Sequence, residues 1–167
     1  MAKLIRHLLP VITALHRAVF RLSGGRIGTR LFGLRFLVLE HVGRRTGARR
    51  ETPLLYIEHD GAFLVVASNA GRDYAPAWWL NLQAKPDVAV RIGGGRVAVA
   101  ARRASSEEAL RLWPVVIATF SWFEEYRAGT MREIPLVLLE PRTSGTPRIQ
   151  ARAETASSRD GTLAGER

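Results

Sequence analysis

A cationic turn and a short aromatic segment carry the residue types that bind an anion and a flat ring. The turn reads Gly43-Arg44-Arg45-Thr46-Gly47, and Arg50 follows it closely. Its glycines let the backbone bend and present N–H groups, and its guanidinium groups form charge-assisted hydrogen bonds with phosphate. The aromatic segment places Asn81 one turn beyond Trp78. A solvated hairpin tip and core packing are the alternative interpretations, and Arg49 is interpreted as a surface residue.

The chain lacks the usual spacings of a catalytic nucleophile or a metal site. It contains no cysteine, and its four histidines, His7, His16, His41 and His59, form no motif such as H-E-x-x-H. We interpret each histidine as lying at the surface or on a helix face. No metal is therefore predicted, and redox chemistry would require a bound organic cofactor.

The net charge of +10 comes from the first 50 residues. Residues 1–50 contain eleven lysines and arginines and one acid, Glu40, whereas residues 51–167 contain 14 charges of each sign. Such an excess favours a phosphorylated cofactor, an anionic membrane surface or nucleic acid as the partner. Nucleic acid is the least favoured of the three because the basic residues lack interleaved aromatic side chains.

The hydrophobic pattern predicts a small antiparallel barrel with inserted helices. Six strands, mostly in meander order, are predicted at 34–42, 52–58, 62–68, 87–92, 97–102 and 134–140. Hairpin turns are predicted at Asp60-Gly61 and Gly93-Gly94-Gly95. A short helix is predicted over 77–84, and a capping box of Ser105 and Glu108 begins a longer helix that runs to about Tyr126 despite Pro114.

The ends of the chain differ in character from this barrel. Residues 3–22 predict a basic amphipathic helix, interrupted by Pro10, that either packs on the domain or lies on an anionic membrane surface. Residues 1–33 thus combine this helix with a glycine-rich linker at 23–33, and residues 143–167 predict a disordered tail. No apolar run approaches the roughly 20 residues of a spanning helix, and no signal peptide is predicted. We expect a cytoplasmic protein, peripheral at the inner membrane face if the helix binds lipid.

Three consecutive motifs resemble the deazaflavin-dependent nitroreductase and quinone reductase family. They read V-G-R-R-T-G-A-R-R-E-T-P-L, V-V-A-S-N and A-P-A-W-W-L-N-L-Q-A-K-P-D-V, and the closing I-P-L-V-L-L-E-P adds to them. The resemblance covers about residues 34–142. It implies an α+β, mainly β, split β-barrel that binds 8-hydroxy-5-deazaflavin, coenzyme F(420), in preference to FMN. The phosphate and polyglutamate tail of that coenzyme would account for the basic N-terminal third.

The resemblance also assigns site residues by position. The implied cofactor-binding residues come from the turn, the two following strands and the short helix: Arg44, Arg45, Thr46, Arg50, Pro53, Leu54, Leu55, Val66, Ala67, Ser68, Asn69, Ala77, Trp78, Trp79, Leu80 and Asn81. The implied substrate pocket consists of Phe120, Phe123 and Tyr126, where the best-known nitroreductase has tyrosines. Tyr126 is the remaining candidate proton donor. From helical spacing alone, a core stripe of Trp113, Phe120 and Phe123 is the default interpretation and an aromatic pocket wall is the alternative.

The resemblance implies hydride transfer from reduced F(420) to a quinone, a nitro compound or another activated hydrophobic acceptor. A membrane-soluble acceptor such as a quinone suits the basic amphipathic N-terminus. Two alternatives are a deazaflavin or flavin carrier without turnover, and a basic nucleic-acid-binding barrel.

Overall fold

The computed structural model describes the backbone of residues 30–31 and the whole of residues 34–142. The predicted helix at 3–22, most of the predicted linker at 23–33 and the predicted tail at 143–167 lie outside these residues. Two residues assigned to the linker, Arg30–Leu31, pair instead as a short strand.

Eight antiparallel strands and three α-helices make up this part of the chain. The strands are β1 (Arg30–Leu31), β2 (Leu34–Val42), β3 (Arg49–Leu55), β4 (Ile57–His59), β5 (Ala62–Val66), β6 (Asp87–Ile92), β7 (Gly95–Arg103) and β8 (Leu136–Pro141). The helices are α1 (Ala77–Ala84), α2 (Ser106–Thr119) and α3 (Trp122–Ala128), and a 3-10 turn spans Asn69–Gly71.

The strands form one sheet that curls back on itself. Its order is β3, β2, β6, β7, β8, β5, β4, and β1 pairs with the start of β2. Only Tyr56 separates β3 from β4, yet these strands pair at opposite ends of that order. The two edges must therefore approach each other, which gives a split barrel. The predicted fold class, mainly β with inserted helices, is confirmed.

The long-range strand pairs and several strand boundaries differ from the prediction. Strand β2 pairs with β6, and β5 pairs with β8, so the sheet is not a simple meander. The strand predicted at 52–58 begins earlier and is interrupted at Tyr56, whose N–H donates to the Arg35 carbonyl (3.1 Å) before the chain changes partner from β2 to β5.

Both predicted glycine turns connect adjacent strands. Asp60 and Gly61 adopt φ values of 47° and 77° between β4 and β5, and Gly93 and Gly94 adopt 57° and 88° between β6 and β7. Two successive left-handed residues are what a tight two-residue hairpin requires, and their twist matches that of the flanking strands.

The long helix predicted from Ser105 to Tyr126 is two helices. The capping box is present, since Ser105 Oγ accepts from the Glu108 N–H (3.1 Å) and Glu108 Oε2 accepts from the Ser105 N–H (2.7 Å). The helix ends at Phe120, which adopts φ −138° and ψ 81°. This break lets the Phe120 and Trp122 rings meet at 5.3 Å between centroids, a contact that residues two apart cannot make within one helix.

Two apolar clusters cover the two faces of the sheet. The inner core lies under α1 and consists of Leu37, Leu39, Tyr56, Val65, Ala67, Trp78, Trp79, Leu82, Val90, Val99, Val137 and Leu139. The outer core packs β5 and β8 against α2 and α3 and consists of Ala62, Leu64, Ala104, Leu112, Val116, Phe120, Phe123, Leu136 and Leu138. Alternate residues of β5 and β8 thus enter different cores, as the period of a strand requires.

Candidate active site

A cavity of about 660 Å³ opens between the 43–47 turn, strands β2 and β3, and helix α1. This volume lies within the range typical of cofactor and ligand sites. Of the residues predicted to bind the cofactor, those lining it are Arg44, Arg45, Thr46, Arg50, Pro53, Ala77, Trp78 and Asn81. The other lining residues were not predicted from the sequence to bind a ligand. They are Val38, His41, Gly43, Arg49, Glu51 and Thr52.

The remaining predicted cofactor residues lie away from this cavity wall. Trp79 and Ala67 are buried in the inner core, where Leu54 also packs, while Leu55 and Val66 pack on the outer core. Leu80 is half-buried on α1. Ser68 and Asn69 lie in the loop after β5, with Ser68 buried. A binding role for this second group stays a prediction.

Four guanidinium groups at the cavity have no acidic partner in the described part of the chain. Arg44, Arg45, Arg49 and Arg50 form no ion pair there, whereas Glu51, the one acid lining the cavity, binds Arg91 at 2.7 Å. Clustered like charges repel one another unless an anion lies between them. This wall is therefore suited to a phosphate or carboxylate ligand.

The backbone of the turn is also suited to binding a phosphate or carboxylate. The Gly43 N–H donates to the Ala48 carbonyl and the Gly47 N–H to the Gly43 carbonyl, both at 2.8 Å. The amides of Arg45 and Thr46 have no hydrogen-bond acceptor among residues 34–142. Two consecutive amides left unpaired at a turn offer donors to a bound anion.

Asn81 connects helix α1 to the turn. Its Oδ1 accepts from the backbone N–H of Arg44 (3.0 Å) and from Arg44 Nη1 (3.3 Å), and its Nδ2 lies 3.1 Å from His41 Nδ1. His41 Nε2 in turn lies 3.0 Å from Thr52 Oγ1. Asn81 and His41 are both about 95% buried, so the bond between them is shielded from water, whereas the bonds to Arg44 and Thr52 are partly buried at the cavity wall.

The interpretation of His41 as a surface or helix-face residue is wrong. It lies on β2 with 5% of its surface exposed. The period of the strand could have indicated this, since His41 follows the fully buried Leu37 and Leu39 on the same face. Burial, and then the charge of Arg50, lower the pKa of His41 below its ordinary value. Its neutral form therefore contributes stability that is complete above about pH 6.5 and is lost as the pH falls towards the lowered pKa.

These observations agree with the similarity of the chain to known proteins. Residues 13–141 match the family model described as F(420)H2-dependent quinone reductase. The chain belongs to this family. It is 36% identical over 141 residues to Rv1261c of Mycobacterium tuberculosis, named an F(420)H2-dependent quinone reductase, covering 82% of this chain and 95% of that protein. Rv3178 of the same organism is 41% identical over 106 residues, covering 64% and 89%.

A solved structure supports the same assignment. The F(420)-H2 dependent reductase FDR-A superposes with a TM-score of 0.58 at 29% identity, covering 63% of this chain and 93% of that chain. The predicted membership of the deazaflavin-dependent reductases is thereby confirmed.

The aromatic residues that family resemblance assigns to the substrate side lie on the outer face of the sheet. Phe120 and Phe123 are about 95% buried in the outer core, as the core-stripe interpretation expects, and neither lines the 660 Å³ cavity. Tyr126 is half-buried beside Phe123, with ring centroids 5.7 Å apart. Burial, and then the charge of Glu125, raise the pKa of Tyr126, so the phenol is protonated at neutral pH.

The loop after β5 carries two of the predicted cofactor-binding residues, Ser68 and Asn69, and contacts the helix that carries Tyr126. Asn69, Ala70 and Gly71 adopt successive φ values of 48°, 55° and 73°. A Cβ on Gly71 would lie 3.2 Å from the Tyr126 Cα and carbonyl oxygen. The loop that carries Asn69 therefore packs directly against the backbone of α3 at Tyr126.

Replacing Gly43 by alanine should weaken cofactor binding without unfolding the protein. A Cβ at this position would lie 2.9 Å from Arg50 Nε and 3.0 Å from Thr46 Oγ1, so both side chains must move. Because these are charged and hydroxyl donors to the predicted phosphate, we expect the Kd for F(420) to rise about three- to tenfold. Fluorescence titration of the coenzyme measures the change, and an unchanged Kd would contradict it. Gly95→Ala is the control, because Gly95 lies away from the cavity, has no left-handed φ, and a Cβ there meets only the Ile92 carbonyl oxygen at an ordinary 3.5 Å.

Proposed function

We propose that this chain is an F(420)H2-dependent oxidoreductase that reduces a quinone, with the coenzyme bound in the 660 Å³ cavity. The observation that carries the proposal is one cavity lined by Trp78 and by four guanidinium groups that form no ion pair within residues 34–142, beside the Arg45 and Thr46 amides, which have no acceptor among those residues. The family model and the names of the relatives support the reaction class. When bound, the reduced coenzyme supplies the hydride.

The residues around the cavity divide by chemistry into two groups. Arg44, Arg45, Arg50 and the Arg45 and Thr46 amides provide donors for the phosphate and the acidic tail. Val38, Pro53, Ala77 and Trp78 provide the apolar wall against which a flat ring system packs. The protein thus contributes binding and orientation.

The test is to mix the purified protein with reduced F(420) and menadione and to follow oxidation of the coenzyme by absorbance. We expect saturable oxidation that depends on both protein and menadione. Absence of both binding and turnover would refute the proposal, while tight binding with no acceptor reduced would favour the carrier alternative. A salt-dependent shift of labelled single-stranded DNA would favour nucleic-acid binding instead.

We further propose that Tyr126 delivers the proton that accompanies reduction. Tyr126 does not line the 660 Å³ cavity, and the support for this role is that the loop carrying Asn69 packs on its backbone and that its hydroxyl stays protonated through the neutral range. Tyr126→Phe should lower kcat about tenfold, less than the usual effect of a general acid, because water can also deliver the proton. Tyr74→Phe is the matched control, since Tyr74 is 61% exposed and its hydroxyl accepts from Arg72. Equal kcat values for wild type and Tyr126→Phe would exclude this role.

Peripheral contact with an anionic membrane is proposed for residues 3–22, on their basic amphipathic pattern alone. None of the described helices is long and apolar enough to cross a bilayer. Sedimentation with vesicles of anionic lipid, compared with zwitterionic vesicles, tests this contact. Equal recovery with both vesicle types would contradict it.

A further inference from the structure

A relay of hydrogen bonds, buried at its centre and partly buried at its two ends, connects strand β3, strand β2, helix α1 and the cationic turn. It runs from Thr52 through His41 and Asn81 to the backbone of Arg44. An amide nitrogen only donates, so His41 Nδ1 must accept from Asn81 Nδ2 and carry no proton. His41 Nε2 then carries the proton and donates to Thr52 Oγ1. The Asn81 carbonyl oxygen is left facing the Arg44 N–H, to which it is the acceptor.

Protonation of His41 is incompatible with this relay. A proton on Nδ1 would face the Asn81 amide group, which is also a donor. Rotating the amide by half a turn would satisfy His41 but would place Nδ2 against the Arg44 N–H, again donor to donor. No orientation of Asn81 serves both neighbours, and either the buried donor at His41 or the partly buried Arg44 N–H is left without an acceptor, which costs desolvation free energy.

The charges around His41 also disfavour its protonation. Arg50 lies directly opposite it in the β2–β3 ladder, and Arg44 lies at the far end of the relay. The neighbouring carboxylates of Glu40 and Glu51 are bound by Arg91 at 2.9 and 2.7 Å. The helix α1 contributes the neutral Asn81 and β3 the neutral Thr52. No free carboxylate from the described elements compensates a positive imidazole.

We propose that neutral His41 is a positioning residue for coenzyme binding, which acts through Asn81 to hold Arg44 and the cationic turn in the binding geometry. Its protonation releases the turn and lowers coenzyme affinity at acid pH. This inference rests on the proposed function. It also makes Asn81 a support of the turn, since its side chain is already bonded to Arg44 and His41.

The decisive comparison is between His41→Gln and His41→Leu. The Gln side chain provides a carbonyl acceptor for Asn81 and an amide donor for Thr52 and does not titrate, whereas Leu provides neither. We expect the Kd of wild type for F(420) to rise about tenfold as the pH falls from about 7.5 to about 5. His41→Gln should bind like wild type at pH 7.5 and lose this His41-dependent rise. His41→Leu should bind about tenfold more weakly at every pH.

Titration of the coenzyme itself affects the Kd of wild type and of His41→Gln equally. The difference between the pH dependences of their Kd values therefore reports on His41 alone. The inference is overturned if His41→Gln retains the full acid-dependent rise, or if it binds as weakly as His41→Leu at pH 7.5. If a His41 variant has lower thermal stability but keeps the pH dependence of the wild-type Kd, His41 stabilises the fold without positioning the turn. That result would also overturn the inference.

Hydrogen exchange of the Arg44 amide provides a readout that needs no coenzyme. We expect protection of this amide in wild type and in His41→Gln at pH 7.5, and at least tenfold faster exchange in folded His41→Leu. If wild type binds no F(420), the proposed function fails, whereas the positioning role is still decided by this exchange. Equal exchange in all three proteins would overturn the positioning role whatever the coenzyme result.

Discussion

Replacing Arg50 by glutamine should raise the Kd for F(420) about 10- to 100-fold. Arg50 lines the cavity, has no acidic partner in residues 34–142, and its Nε lies over Gly43 at the base of the turn. A hydrogen bond to a charged partner contributes about 1.5–3 kcal/mol, which corresponds to that loss of affinity. Coenzyme fluorescence titration at two salt concentrations measures it, and the salt dependence should also become weaker.

Arg111→Gln is the matched control for charge. It removes the same positive charge from an exposed residue on α2 that pairs with Glu107 and does not line the cavity. Its Kd should stay within about twofold of wild type, because exposed charges beyond about 10 Å are screened by salt. If the two variants weaken binding equally, the effect is one of net charge and the cationic turn is not the phosphate site.

Replacing Arg132 by methionine should lower the free energy of unfolding by about 2–4 kcal/mol, because several charge-assisted bonds to backbone carbonyls, two of them partly buried, are lost. The Arg132 guanidinium donates to the carbonyl oxygens of Ala67 (3.0 Å), Ser68 (2.6 Å) and Arg72 (2.7 Å). It thereby holds the strained loop around Asn69–Gly71 against the end of the sheet. Urea unfolding monitored by tryptophan fluorescence measures the change.

The neighbouring Arg103 provides the control for this substitution. Arg103 forms an exposed ion pair with Glu133. Exposed pairs contribute about 0–1 kcal/mol, so Arg103→Met should have a small effect. Comparable losses in both variants would show that the carbonyl bonds of Arg132 do not stabilise the loop. Since this loop carries Ser68 and Asn69, Arg132→Met should also weaken F(420) binding if those residues contact the coenzyme.

Local features of the fold were predictable from sequence because they depend on neighbouring residues. The Asp60-Gly61 turn and the Ser105 cap each follow from a few adjacent side chains. The pairing of β2 with β6 and of β5 with β8 was not predictable, since it depends on how the sheet curls. The break at Phe120 also depends on tertiary packing, because it accompanies ring contacts that a continuous helix would forbid.

Some residues of the candidate site were likewise predictable from the sequence, and others were not. The cationic turn and Trp78 were identified by residue type and spacing, and both line one cavity. His41 was missed because its partner Asn81 lies 40 residues away on another element. Arg132 was missed for a similar reason, since its acceptors are backbone carbonyls, which carry no signature in the side-chain sequence.

Strand β8 lies between β7 and β5 in the middle of the sheet, although it comes last in sequence among the described strands. Any shortened chain that stops before Leu136 leaves two apolar strands with unpaired edges. Such edges recruit strands from other molecules. Until β8 has emerged during synthesis, the facing edges of β5 and β7 therefore lack the strand that pairs with both of them in the folded sheet.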